Sequence, residues 1–200
     1  MAFQTAAFLG SQGFSAQRDR QLMEFMRSEG VLRKDDCKVS QRGGGANWSI
    51  DISAGWIFTQ GDTIAFQGLY NGYNDAIINK AFTTLAPATN PRVDSIVARI
   101  FDQEAGEVAT GGKPQDQLFI DIIPGTETSG ATVNNIVGQA TLPPTATLLA
   151  YAVIPTAAVS VLDDYIKDMR VISNPKIYGE DGLTYRLGID SLGQLGTELI

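Results

Sequence analysis

The sequence predicts a mainly β protein: an antiparallel β-sandwich or barrel-like domain with one N-terminal α-helix and a C-terminal β-hairpin. Short apolar or alternating segments recur about every 8–12 residues, with turns rich in glycine, asparagine and aspartate between them, which is typical of antiparallel β folds. Only one stretch, beginning at Ser15, has helical spacing. At the end of the chain, two apolar runs flank the turn residues 191–193.

The helix begins after Ser15, a residue type that caps helix N-termini well. No glycine or proline follows until Gly30, which favours a helix end. Leu22, Phe25 and Met26 recur at i, i+3 and i+4 and form an apolar stripe. The stripe indicates a helix that either packs on a sheet or lies in an oligomer interface.

The predicted strands follow from runs of apolar and β-branched residues that end at turn residues. The glycine-rich segment 42–47 resembles a phosphate-binding loop, but a strand follows it rather than a helix. We therefore predict a hairpin turn there. The predicted strands cover residues 37–41, 48–54, 56–59, 63–70, 76–82, 90–102, 118–123, 148–154, 183–190 and 194–200.

The segment 90–102 is predicted to be the central strand. Ile96 and Ala98 lie on one face, whereas Val97 and Phe101 lie on the other. Apolar residues on both faces indicate a strand that is buried on both faces.

The central strand also carries charged residues, which a buried strand tolerates only when they are paired or hydrogen-bonded. We expect one of its arginines to meet a carboxylate in a bidentate pair. Arg170 is an alternative donor. The predicted structural charge network comprises Arg92, Asp94, Arg99, Asp102, Asp168 and Arg170.

Composition excludes several function classes. The net charge of −7 argues against nucleic acid or an anionic membrane as a partner. The absence of histidine excludes Ser-His-Asp and Cys-His catalysis, and the single cysteine, Cys37, excludes an internal disulfide. The sequence has no apolar run of membrane-spanning length and no signal-peptide pattern, so we expect cytoplasmic synthesis. We predict no enzymatic activity and no cofactor.

Two acidic clusters are candidates for carboxylate chemistry. One lies at Asp163, Asp164 and Asp168, and the other at Asp35 and Asp36. Adjacent residues on a strand point to opposite faces, and no calcium-loop spacing is present, so we interpret both clusters as solvated turns.

The two ends of the chain are predicted to contact partners. Residues 1–14 form an N-terminal arm, residues 15–171 a helix plus β-sandwich domain, and residues 172–200 a linker and hairpin. The arm packs either on its own domain or on a neighbouring subunit. The hairpin is too small for a core of its own. The predicted partner-interface residues are Phe3, Phe8, Phe14, Leu187, Ile189, Leu195 and Leu199.

Aromatic side chains offer stacking faces for sugars. Trp48 and Trp56 share strand faces with apolar residues, so we interpret both as core residues. Tyr70 and Tyr73 lie near a turn and are the candidate glycan contacts.

Seven segments of the chain form an ordered set: 18–22, 30–32, 48–56, 90–100, 124–126, 142–153 and 166–170. Taken in order, they resemble a tail or baseplate structural module of tailed bacteriophages, and the stretch 90–100 is the strongest of them. The resemblance implies a structural virion protein, a hub or adaptor of the tail tip or baseplate. It implies a trimeric or hexameric ring that joins other tail proteins. The net charge and the lack of a membrane-length apolar run predict no nucleic-acid partner and no membrane insertion. The alternative is a module that binds a host receptor or carbohydrate.

Overall fold

A computed structural model of the chain describes residues 16–178, 184–189 and 195–199, and side chains up to Lys176. The predicted fold class is confirmed: the described residues are mainly β, all of their strand pairs are antiparallel, and a single α-helix precedes the strands. The elements are α1 (Ala16–Met26), β1 (Gly30–Val31), β2 (Val39–Gln41), β3 (Ser49–Ile52), β4 (Gly55–Gly61), β5 (Gly68–Asn74), β6 (Ile78–Ala81), β7 (Arg92–Arg99), β8 (Phe119–Ile123), β9 (Ala146–Ile154), a 3₁₀ turn (Asp163–Tyr165), β10 (Ile166–Asp168), β11 (Lys176–Tyr178), β12 (Thr184–Ile189) and β13 (Leu195–Leu199).

The strands form four small sheets. Their orders are β1-β4-β5, β2-β3-β6, β10-β9-β7-β8 and β11-β12-β13. The main core joins the first three sheets, since it combines Ile57 of β4, Ile50 of β3, and Ile96 and Leu149 of β7 and β9. These four side chains are at most 1% exposed. The arrangement is sandwich-like.

Strand β7 lies at the centre, as predicted, between β8 and β9. Every residue from Arg92 to Ala98 is buried. Ile96 and Ala98 pack into the main core, whereas Val93 packs into a second cluster on the other face. Burial of β7 on both faces explains why its sequence is a nearly continuous apolar run.

Helix α1 forms where the spacing predicts it, but it ends at Met26, short of Gly30. Gly30 instead begins β1 with φ +130°, and a Cβ there would lie 2.2 Å from the carbonyl oxygen of Val171. This close approach lets the amide of Val31 donate to that carbonyl oxygen at 2.8 Å. Residues 172–175, predicted as a linker, therefore run beside β1, and Ser173 is buried there.

The predicted strand 63–70 is shorter in the structure, because β5 begins only at Gly68. The side chain of Gln67 is buried, and its carbonyl oxygen accepts the amide of Thr63 at 2.8 Å. This hydrogen bond closes a turn over residues 63–67, so the segment cannot continue as an extended strand. The predicted C-terminal hairpin is present as β12 and β13, and β11 adds a third strand. Within the described ranges, no helix has the length and apolar character needed to span a membrane.

Candidate interaction surface

Helix α1 is attached to the domain by its polar side. Gln21 donates to the carbonyl oxygen of Phe66 at 2.9 Å, and the Nε of Arg20 donates to that of Gln67 at 3.0 Å. The helix approaches β5 closely, because a Cβ on Gly68 would lie 2.6 Å from the backbone of Arg20. Farther along, Glu24 accepts a hydrogen bond from a β4 side chain at 3.1 Å.

The apolar stripe of α1 consequently faces away from the sheet. Leu22 is 41% exposed, Phe25 56% and Met26 51%. Of the two alternatives left open by the sequence, the helix does pack on a sheet, but it does not do so through the stripe. Clustered exposed apolar side chains mark interaction surfaces on soluble proteins. We call Leu22 and Met26 the helix stripe.

Arg20 links α1 to a buried polar cluster. Its guanidinium lies 3.3 Å from Asp102 and 3.0 Å from Glu104, and 4.8 Å above the ring of Tyr70. Tyr70 donates its hydroxyl to Asp102. Burial, followed by this hydrogen bond to a carboxylate, raises the pKa of Tyr70 far above its ordinary value, so the hydroxyl stays a donor. The choice of Tyr70 as a glycan contact is wrong, because the residue is only 7% exposed and the guanidinium of Arg20 lies over its ring.

Trp56 and Tyr73 form an exposed aromatic pair. They lie opposite each other on β4 and β5, with ring centroids 4.8 Å apart and an interplanar angle of 36°. Trp56 is 37% exposed and Tyr73 57%. The interpretation of Trp56 as a core residue is therefore wrong. Phe58, two residues along the same strand face, is buried, and the guanidinium of Arg27 lies 5.4 Å from its ring centroid.

Trp48, by contrast, does pack into the core as predicted. Its ring centroid lies 5.7 Å from that of Phe82, and its indole N–H donates to the carbonyl oxygen of Thr84 at 3.0 Å.

The central strand carries the bidentate pair that its charges require. Arg92 donates from Nε and Nη2 to the two carboxylate oxygens of Asp94 at 2.7 and 2.9 Å. Its third donor group reaches the carbonyl oxygen of Leu85, and Asp94 also accepts the amide of Gly125. Both charged residues are buried, so the guanidinium nitrogens and the carboxylate oxygens of the pair need these hydrogen-bond partners.

The other predicted charges do not join this pair. Arg170 forms a second bidentate pair with Asp168, at 2.9 and 2.7 Å, and this contact lowers the pKa of Asp168. Asp102 pairs with Arg20 instead. Arg99 stacks 4.2 Å above the ring of Phe101, and no described acid pairs with it. The residues predicted as a single network therefore form three separate ion pairs, and Arg99 stacks on an aromatic ring.

The acidic turns have structural roles. Asp163 accepts the amide of Gln41 at 2.7 Å, and Asp36 accepts the amides of Arg33 and Trp56. In the portion of the chain that the structure describes, no group of three or more potential ligands is placed to hold a metal ion. Burial raises the pKa of the Cys37 thiol to about 11, so the thiol stays protonated at neutral pH.

A groove of about 590 Å³ lies beside β1. Glu29 stands at its edge and accepts a hydrogen bond from the hydroxyl of Thr147 at 2.7 Å. The rest of the lining is mainly apolar. It comes from two segments that are separated in the sequence: Leu142, Ala146, Leu148, Met169, Val171 and Ile172.

The predicted partner-interface residues lie outside the part of the chain whose side chains are described. Phe3, Phe8 and Phe14 precede the first described residue. The backbones of Leu187, Ile189, Leu195 and Leu199 belong to β12 and β13.

Comparison of the chain with known protein families, with curated proteins and with solved structures finds no match.

The sequence analysis missed the roles of Arg20 and Glu29, and it assigned Trp56 to the core. Each has a weak local signal. Arg20 and Glu29 read as ordinary charges on or beside a helix, and their roles depend on Asp102 and Thr147, which are far away in sequence. Trp56 follows Gly55, which interrupts the alternation that would have shown which side it faces.

Proposed function

We propose that this chain is a structural protein of a bacteriophage tail tip or baseplate, synthesised in the host cytoplasm and built into the virion. It forms a symmetric oligomer, a trimer or hexamer, and connects other tail proteins. The observation that supports this most is the outward-facing helix stripe, together with the ordered phage-like segments of the sequence.

The physical argument concerns what the stripe does for the isolated domain. The polar side of α1 already holds the helix on β5, so Leu22 and Met26 are not needed to attach it. Burying half-exposed side chains of this size is worth about 1–2 kcal/mol each. A symmetric oligomer repeats that gain at every interface.

The first test replaces the stripe with charge. We expect the wild-type protein to give a light-scattering mass of three or six times 21.4 kDa, and Leu22→Asp with Met26→Asp to give the monomer mass. Asp19→Asn, on an exposed position of the same helix, is the matched control and keeps the oligomer. A monomeric wild type at high concentration, alone and with the other tail proteins, contradicts the assembly proposal.

The second test asks where the protein is found. Quantitative mass spectrometry of purified virions should detect this chain in copy numbers that are multiples of three. Its absence from virions that carry complete tails would remove the phage-tail proposal.

A second candidate function, recognition of a host-surface carbohydrate, is favoured by the Trp56–Tyr73 pair. The indole N–H of Trp56 and the hydroxyl of Tyr73 donate to none of the described residues, which leaves both available for sugar hydroxyls. Aromatic rings bearing a polar edge suit ligands that have both apolar faces and hydroxyls.

This candidate predicts that Trp56→Ala and Tyr73→Ala each weaken binding to host surface polysaccharide at least about tenfold, a loss of about 1.4 kcal/mol. Isothermal titration or a glycan array measures the effect. Phe66→Ala is the control, because Phe66 is an aromatic residue that is 79% exposed and lies elsewhere. Unchanged binding in both variants, or no binding by the wild type, rules out this role for the pair.

A further inference from the structure

The groove beside β1 has apolar walls and one acidic edge. Leu148 and Met169 line it, and Leu142 lies at the rim with 36% exposure. Val171 and Ile172 extend the apolar surface outward, at 62% and 39% exposure. A volume of about 590 Å³ exceeds one side chain, so the groove accommodates a short chain segment.

Glu29 is held in a defined position at this edge. The hydroxyl of Thr147 donates to its Oε1, and Thr147 is itself fixed by the hydroxyl of Thr59 at 3.0 Å. Glu29 as a whole residue is exposed, but partial desolvation of its carboxyl is the main cause that raises its pKa; the hydrogen bond from Thr147 lowers the pKa and the negative charge of Asp62 raises it. Among the residues that the structure describes, no lysine or arginine forms an ion pair with Glu29.

A fixed carboxylate beside an apolar wall, without a counter-ion, complements a cation on an aliphatic stem. Lysine has this form, since its methylenes pack along apolar surface while its ammonium group meets the acid. A guanidinium pairs best with both oxygens of a carboxylate, so an arginine would have to share Oε1 with the hydroxyl of Thr147, whereas a lysine ammonium needs only Oε2.

We propose that the groove binds a lysine side chain, carried between apolar residues on a neighbouring protein chain. The ammonium group contacts the free Oε2 of Glu29, the stem lies along Leu148 and Met169, and flanking apolar residues cover Val171 and Ile172. The identity of the occupant as a neighbouring protein rests on the assembly function proposed above. The preference of the groove for a lysine side chain does not depend on that assembly function.

The test uses two capped tripeptides, acetyl-Leu-Lys-Leu-amide and acetyl-Leu-norleucine-Leu-amide, which differ only in the ammonium group. Methyl NMR of Leu142, Val171 and Ile172 reports binding. We expect the lysine peptide to shift these signals and to bind about tenfold more tightly than the norleucine peptide. Equal affinities would show an apolar groove without cation selectivity, and unshifted groove methyls would show no site; either result overturns the proposal.

Glu29→Gln provides the second arm. The amide oxygen of Gln still accepts from Thr147, so the fold is kept while the charge is lost. Lysine-peptide affinity should fall about tenfold to the norleucine level. Glu104→Gln, an exposed carboxylate outside the groove, is the control and leaves affinity unchanged. Unchanged affinity in Glu29→Gln contradicts the assigned contact.

These results are independent of the assembly tests. Lysine-selective binding with no chain in the virion would keep the groove and remove the phage-tail proposal. If the chain is found in virions but its groove binds neither peptide, the phage-tail proposal is kept and the groove proposal is removed.

Discussion

Replacing Arg92 with alanine is expected to destabilise the protein by about 3–5 kcal/mol. Asp94 is fully buried, and the substitution leaves it with the amide of Gly125 as its remaining partner. A buried charge without its counter-ion has no water to replace the lost contact. Because small domains are stable by about 5–15 kcal/mol, this loss is a large part of the total.

Urea-induced unfolding, monitored by tryptophan fluorescence, measures the change in the free energy of unfolding. The matched control is Glu104→Ala, which also removes a carboxylate–arginine pair but from a side chain that is 64% exposed. That loss should be about 0–1 kcal/mol. A second comparison, Arg92→Met with Asp94→Leu, removes both charges and should cost less than Arg92→Ala alone. An unfolding midpoint for Arg92→Ala equal to that of the wild type contradicts the structural role.

Replacing Arg20 with alanine is expected to detach helix α1 and to cost about 3 kcal/mol. The change removes the bond to the Gln67 carbonyl oxygen and the contacts with Asp102 and Glu104. Asp102 keeps the hydroxyl of Tyr70 but loses its cation. Arg20 is therefore the residue of α1 whose side chain makes the most polar contacts with the domain.

Hydrogen exchange tests this locally. The amides of α1 should lose protection in Arg20→Ala while those of β7 and β9 keep theirs, because local opening needs less free energy than global unfolding. Gln17→Ala removes one exposed hydrogen bond from the same helix to Phe66 and is the control. Retained α1 protection in Arg20→Ala would show that other contacts hold the helix.

The central strand was predictable because its information is local. Apolar residues on both faces of 90–102 indicate burial, and burial demands partners for the charges. The sequence left the two partners of that pair open, and the structure joins Arg92 to Asp94, two residues away on the same strand face. Arg99 has no such neighbour, and it stacks on Phe101 instead.

The helix face was not predictable in the same way. Spacing shows that Leu22 and Met26 share a side, but not what that side meets. The sheet beneath α1 offers carbonyl oxygens at Phe66 and Gln67, which suit the polar side chains of the helix. This match between two distant segments turned the helix stripe outward.

The groove has the same origin. Its lining comes from residues near 29, 142–148 and 169–174, brought together when β1 pairs beside Val171. The close approach of Val171 to Gly30 makes this pairing possible, and the sequence does not indicate which segment will approach a given glycine.

The sequence by itself therefore determined the mainly β fold class, one helix, the buried central strand and its need for an ion pair. These depend on periodicity and on neighbours within a few residues. Only the tertiary structure decided which way the helix stripe points, that Trp56 is exposed and Tyr70 buried, and that Glu29 stands beside an apolar groove. Those outcomes depend on contacts between residues far apart in the chain, where local pattern carries no information.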